Sequence, residues 1–228
     1  MSTLLSKIQT RGRWTVDIRP ITFTEKRIGN ISRLYPLLQE TQVMLRGWDF
    51  PHLDRHTQAN IDIDYLWQES EWNNYLEAWR FYQSGQFGVV RAMAEDWLDQ
   101  STLDSAPGGW QPGNRIGVLS VIFQFTEVFQ FAANLAHSEA GDEHMHIGVT
   151  VSGLQGRALR FDSSGRWGFA QEMKASLQEL PYEIILPRDE LLGQPREFAL
   201  QPARELFRRF GWDPDPELLR DMQSTLWR

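Results

Sequence analysis

Apolar and polar positions alternate near the start of the chain. Trp14, Val16 and Ile18 stand between Arg13, Thr15, Asp17 and Arg19, the period of two that a half-buried strand requires, and Pro20, with no N–H to give a ladder, stops it. From Ile28 the positions Ile31, Leu34, Tyr35 and Leu38 return at helical spacing, with Pro36 limiting that helix to a short or kinked one. Val43 and Leu45 alternate before Gly47, and Ile61, Ile63, Tyr65 and Trp67 do so against Asp62 and Asp64, which predicts two more strands. Trp72, Tyr75, Leu76 and Trp79 fit one face of a helix, Ser84-Gly85 reads as a turn, and residues 86–93 read as a strand.

The strongest pattern runs from Ile116 to His137. Ser120, Gln124, Glu127, Gln130, Asn134 and His137 recur every three or four residues in an otherwise apolar stretch, which predicts a helix enclosed except along a narrow polar stripe. It is long enough to cross a bilayer, but its polar residues make it a buried helix of a soluble protein instead. Met145, Ile147, Val149 and Val151 then face away from His144, His146 and Thr150. Gly153 and Gly156 bracket a turn to Leu159 and Phe161, so a hairpin is expected. Near the C-terminus Pro202 opens a helix ending at Gly211, and Asp215-Pro216 caps a second that carries Leu218, Leu219, Met222 and Leu226.

Strands arrive in pairs rather than in strict βαβ alternation. The expected fold is therefore α+β: a mostly antiparallel sheet packed by a buried central helix at about 116–137, with a C-terminal helical hairpin. Breaks at Ser101–Asn114 and Pro187–Pro195 read as loops within one domain, residues 1–228, which divides at most into an aromatic-rich half (1–100) and a helix-and-hairpin half (114–228).

Composition narrows the chemistry. The chain has no cysteine, which removes thiol nucleophiles, disulfides and thiolate metal centres. The opening MSTLLSKIQTRGRW has too short an apolar stretch for a secretory leader, so a cytoplasmic location and no membrane are expected. Residues 1–33 carry seven basic and two acidic groups, whereas residues 34–145 carry five and sixteen. An acidic middle argues against non-specific nucleic-acid binding by the whole chain, but leaves the basic first 33 residues as a local candidate for it. Phosphate loops, dinucleotide fingerprints, HExxH and GxSxG are all absent.

Three clusters remain. Arg46-Gly47-Trp48-Asp49-Phe50-Pro51-His52 joins a cation, an aromatic ring, a carboxylate and an imidazole just beyond a strand, the composition of a recognition loop or of an architectural corner. Trp67, Trp72 and Trp79 with Tyr65, Tyr75, Phe81 and Tyr82 form an aromatic belt. Asp62, Asp64, Glu69, Glu71 and Glu77 among them favour core packing or a protein interface over a phosphate backbone. His144 and His146, two apart on a strand, point to one face, and with Glu127 they are the candidate ligands of a divalent transition metal. The helix pair carrying Arg204, Arg208 and Arg209 has an acidic second helix, with Glu217 and Asp221, which does not suit groove reading.

RGWDFPH, FYQSGQF, GDEHMHI and ELFRRFGWDPDPE together resemble a bacterial family whose module stands alone or is attached to DNA-binding domains of the Schlafen-like AlbA type. The resemblance runs from Leu4-Leu5 to the C-terminus. It implies a link to DNA-associated or phage-defence systems, and carries over no reaction and no catalytic residue.

The expected function is thus a non-catalytic accessory protein without a cofactor. It binds a ligand, a protein partner or a second copy of itself through Arg46, Trp48, Asp49, His52, Trp67 and Trp79. The alternatives are a metal-dependent hydrolase or nuclease built on His144 and His146, and a nucleic-acid-associated regulator.

Overall fold

The computed structural model describes residues 2–98, 111–161 and 169–227. Its strands are β1 (Arg13–Pro20), β2 (Asn60–Ile61), β3 (Tyr65–Trp72), β4 (Tyr75–Tyr82), β5 (Phe87–Ala92), β6 (Arg115–Gly117), β7 (His144–Ser152), β8 (Ala158–Arg160) and β9 (Glu179–Pro187). Its helices are α1 (Thr3–Ile8), α2 (Leu34–Thr41), α3 (Val118–His137), α4 (Arg188–Gly193), α5 (Pro195–Arg209) and α6 (Pro216–Ser224).

Seven strands form one sheet in the order β2-β3-β4-β5-β1-β7-β9, and every neighbouring pair is antiparallel. The fold is α+β, as the patterning predicts. The alternation in β1 sends Trp14, Val16 and Ile18 to the inner face, and Val16 pairs with Val89 on one side and Val149 on the other. The N-terminal strand therefore sits centrally, joining the β2–β5 meander to β7 and β9.

Across the inner face runs α3. Phe125 meets Trp14 edge to face at 5.2 Å, and Phe131 meets Phe87 at 4.7 Å and Phe50 at 5.6 Å. The C-terminal helices pack on α3 from its other side, which is why it is apolar nearly all round. Gln223 on α6 closes this layer by donating to Thr126 Oγ1 at 2.9 Å and to the Arg196 carbonyl at 3.0 Å. On the outer face α1 covers only one end of the sheet, burying Leu4 and Ile8 against Leu76 and Ala92.

Several elements differ from expectation. Residues 72–79 are not a helix: Trp72 ends β3, Tyr75 begins β4, and Asn73, at φ 51°, turns the chain between them. β4 is buried on both faces at its start, Leu76 under α1 and Glu77 and Trp79 inward, and this erased the alternation. Val43 and Leu45 form no strand; Val43 makes a single bridge to Phe50. Residues 145–161 are not a hairpin, because β7 pairs with β1 and β9 while β8 pairs in parallel with β6. Pro36 falls in the first turn of α2, where no helical N–H is lost. Pro195 rather than Pro202 opens α5, with Pro202 inside it, and α4 occupies part of the expected 187–195 loop. Gly211, at φ 84°, ends α5 as expected, and the Asp215 side chain accepts from the Glu217 N–H at the start of α6. The expected Ser101–Asn114 loop lies outside the described residues as far as residue 110.

Candidate functional site

The segment leaving α2 folds back against the inner side of the β3–β4 hairpin, which holds it through the His52 backbone and the Trp48 ring. Mutual backbone hydrogen bonds of 2.8 Å between Val43 and Phe50 close the loop, and the Phe50–Pro51 bond is cis. Phe50 plugs the core. His52 is fixed at both backbone groups: its N–H donates to Glu77 Oε1 at 2.8 Å, and its carbonyl accepts from Trp79 Nε1 at 2.9 Å.

The side chains form a second layer. Gln42 Nε2 donates to Asp49 Oδ2 at 2.6 Å, and Asp49 Oδ1 lies 2.5 Å from His52 Nδ1. The Trp48 ring is stacked between His52, at 3.8 Å between centroids, and Tyr75, at 4.6 Å. Burial on its own would raise the Asp49 carboxyl, but the hydrogen bonds from His52 and Gln42 outweigh it and hold the group below the ordinary carboxylate range. With Asp49 ionised, the hydrogen bond places the proton of a neutral imidazole on Nδ1 and leaves Nε2 as the acceptor.

Beneath the loop lies a chain of buried charges. Arg46 reaches Glu127 in the middle of α3 with two hydrogen bonds, Nε to Oε1 at 2.7 Å and Nη2 to Oε2 at 2.5 Å. Arg91 on β5 bridges Glu127, at 3.5 Å, and Glu77 on β4, at 3.4 Å. Glu127 and Glu77 are at most 1% exposed, so each carboxylate depends on these guanidinium groups. Beside them is a polar cavity of about 90 Å3, lined by Arg46, Arg91, Glu95 and Gln124 among others. In it the Gln124 Nε2 is buried without a protein partner.

On the solvent side this scaffold carries a groove of about 540 Å3, with Trp48, Asp49, His52 and Ser70 in its walls and Met44 and Trp72 at its rim. Met44 is 71% exposed and Trp72 62% exposed. A wider depression of about 1000 Å3 between α2 and α3 has its charges matched internally, Arg33 pairing with both Glu40 and Glu139.

Trp48, Asp49 and His52 thus converge on the groove, whereas the Arg46 side chain turns inward to Glu127 and lines the polar cavity, which corrects its expected place on the binding surface; the other expected residues do not join them either. Trp79 is 2% exposed and acts as a core ring and backbone donor, which corrects its expected place on a binding surface. Trp67 points to the opposite face of the sheet. Glu127 is bound to Arg46 under the inner face, whereas His146 lies on the outer face between Asp17, at 3.5 Å, and Glu183, at 3.7 Å, and His144 is exposed. No group of three or more His, Asp or Glu positioned for a metal ion occurs among the described residues. In the basic N-terminal stretch Lys7 pairs with Glu71, Arg27 with Asp142 and Arg33 with Glu40 and Glu139, so the acidic middle of the chain already neutralises much of it.

Sequence reasoning overlooked Glu77 and Arg91 as supports of the loop. Their signal was a charge inside an otherwise apolar strand or strand end, at positions that only a buried ion pair accommodates. Comparison with known proteins adds no relative: no family model, no curated protein and no solved structure matches the chain.

Proposed function

We propose that this chain is a non-catalytic partner-binding protein, and that the groove beside the Arg46–His52 loop takes an apolar anchor side chain of a protein partner. One observation carries the reading: Met44 and Trp72, two large apolar side chains more than half exposed, stand over a groove whose floor is immobilised from beneath by buried hydrogen bonds and ion pairs. Exposed Met and Trp over a preformed concavity is the composition of an interface centre, and a rigid floor lowers the ordering cost of binding.

The test compares the tagged wild-type chain with a Met44→Ser/Trp72→Ser variant whose folding is verified by circular dichroism. Both are purified from a native-like lysate, with co-eluting proteins quantified by mass spectrometry and self-association measured by sedimentation. Stoichiometric association, with another protein or with a second copy, that disappears in the variant supports the proposal. Association unchanged in the variant overturns it. So does one tightly held transition-metal ion per chain that depends on His144 and His146, which returns the hydrolase reading.

A further inference from the structure

The outer face of the sheet carries a recognition pattern used once by the protein itself and left without its cation once more. In the first instance Arg80 sits over the Tyr65 ring at 5.7 Å from its centroid, and the Tyr65 hydroxyl donates to Asp62 at 2.8 Å: an arginine, an aromatic face and a carboxylate together. The second instance is Trp67 with Glu69. They are two apart on β3 and therefore project to the same face, where Trp67 pairs across the ladder with Arg80 and Glu69 with Ala78. Both are partly exposed, and among the described residues Trp67 has no ring partner and no cation over it and the Glu69 carboxylate makes no hydrogen bond or ion pair.

These two residues line a trough of about 560 Å3 that α1 leaves uncovered. Its floor is kept low by Gly88, which pairs with Arg80 on one side and Asp17 on the other, and a Cβ there would meet only the Val16 carbonyl, at 3.9 Å. Among the charged lining residues Asp17, Asp62 and Glu69 outnumber Arg80, so the trough is net acidic. Asp17 is already engaged by Arg19 and Gln86, which leaves Glu69 as the carboxylate able to receive a cation.

We infer that this trough binds an arginine-bearing segment of a protein partner, with one guanidinium stacked on Trp67 and hydrogen-bonded to Glu69. A guanidinium suits the site because a planar cation can satisfy an aromatic face and a carboxylate together, which a compact ammonium does less well. An acidic lining repels a phosphate backbone, so a nucleic acid is the disfavoured occupant. The site lies on the other face of the sheet from the Trp72 groove and stands independently of it.

The probe is a blocked Gly-Arg-Gly-Arg-Gly peptide, titrated into the full chain and followed by calorimetry and by the indole N–H resonances. The expected result is binding that weakens with added salt, perturbs the Trp67 indole, and falls about tenfold in Trp67→Ala and in Glu69→Gln. The citrulline peptide, neutral but of the same shape, is expected to bind at least about tenfold more weakly. Trp72→Ser, which alters the other surface, is expected to leave the affinity unchanged. Because Glu69→Gln replaces only a partly exposed carboxyl with an amide of the same shape, it keeps the test valid even if Trp67→Ala unfolds. Absence of binding at millimolar peptide, equal binding of the citrulline peptide, unchanged affinity in both variants, or preferential binding of a single-stranded oligonucleotide overturns the inference.

Discussion

Arg46 grips Glu127 with two parallel hydrogen bonds, although 81 residues separate them in the chain and Glu127 is completely buried in the centre of α3. The contact joins the exposed loop to the innermost helix, and the energetics are those of a buried ion pair. Removing Arg46 leaves Glu127 only the longer contact to Arg91, at 3.5 Å, and breaking a buried pair in this way costs up to about 3–5 kcal/mol, whereas replacing both partners by apolar side chains is often close to neutral. Arg46→Ala is therefore expected to lower the urea midpoint strongly and to release the Trp48–His52 stack. Arg46→Met combined with Glu127→Leu is expected to recover most of the stability. Equal losses in the single and double variants would show that packing, not charge, holds the loop.

Glu77 adds a pH dependence of known sign. Burial pushes its carboxyl above the usual range, and the nearby Arg91 guanidinium and the His52 N–H only partly counteract this. A carboxyl raised in the folded state contributes stability that is complete below its unfolded value of about 4.3 and is lost as pH rises through the folded value. Glu77→Gln keeps an oxygen to accept from the His52 N–H and cannot ionise. Relative to this variant, the wild type is expected to lose stability as pH rises from about 4 towards neutrality, which denaturant melts at a series of pH values measure directly. A constant difference between the two proteins would place the titration elsewhere.

What the sequence reveals follows from how each residue is used. Trp14, Val16 and Ile18 face one way because β1 is buried on one side, so a period of two is visible; α3 is buried on nearly all sides, so its length and apolarity suffice. Pairing is hidden: Met145 to Val151 alternate whatever strands lie beside them, and nothing local shows that β7 joins β1, more than 120 residues earlier, rather than β8. In the site, the density of distinct chemistries from Arg46 to His52 marks the loop, and Trp48, Asp49 and His52 come together in its groove while Arg46 turns inward to Glu127. Trp79 was misplaced because aromaticity does not distinguish an exposed ring from a core ring whose N–H serves the backbone. Glu77 was read only as one of the carboxylates of the aromatic belt and Arg91 was passed over, because a single charge in an apolar strand has meaning only once its partner is known.

The β3–β4 hairpin, mistaken for a helix, gives its own test. Asn73 stands at φ 51°, in the left-handed region that glycine enters freely, asparagine tolerably and other side chains at a cost of about 1–2 kcal/mol. Asn73→Gly is expected to leave thermal stability unchanged or slightly improved, and Asn73→Ala to reduce it by about 1 kcal/mol. A helix across residues 72–79 demands the reverse, since alanine stabilises a helix interior relative to glycine by about 1 kcal/mol. The order of the two variants in a melting experiment is therefore decisive.

A separate buried ion pair predicts a large effect from a small change. Arg157 and Asp96, each 1% exposed, bind one another; Arg157 also donates to the Arg115 and Gly153 carbonyls, and Asp96 accepts from the Gly12 and Gly113 N–H groups. This knot ties the start of β1 to the segments around β6 and β8, and Gly12 lies against it. A Cβ at residue 12 would come within 2.2 Å of Arg157 Nη2, 2.6 Å of Met93 Sδ and 2.8 Å of Asp96 Oδ2, distances at which something must move. Overpacking a core costs about 1–3 kcal/mol, and here the displaced atoms are a buried charge pair that has no water to turn to. Gly12→Ala is thus expected to destabilise the fold by at least that amount in equilibrium denaturation, with hydrogen exchange rising first at the amides of Gly12 and Gly113. Gly29→Ala, where nothing lies within 4 Å of the added carbon, is the matched control and is expected to leave the midpoint unchanged.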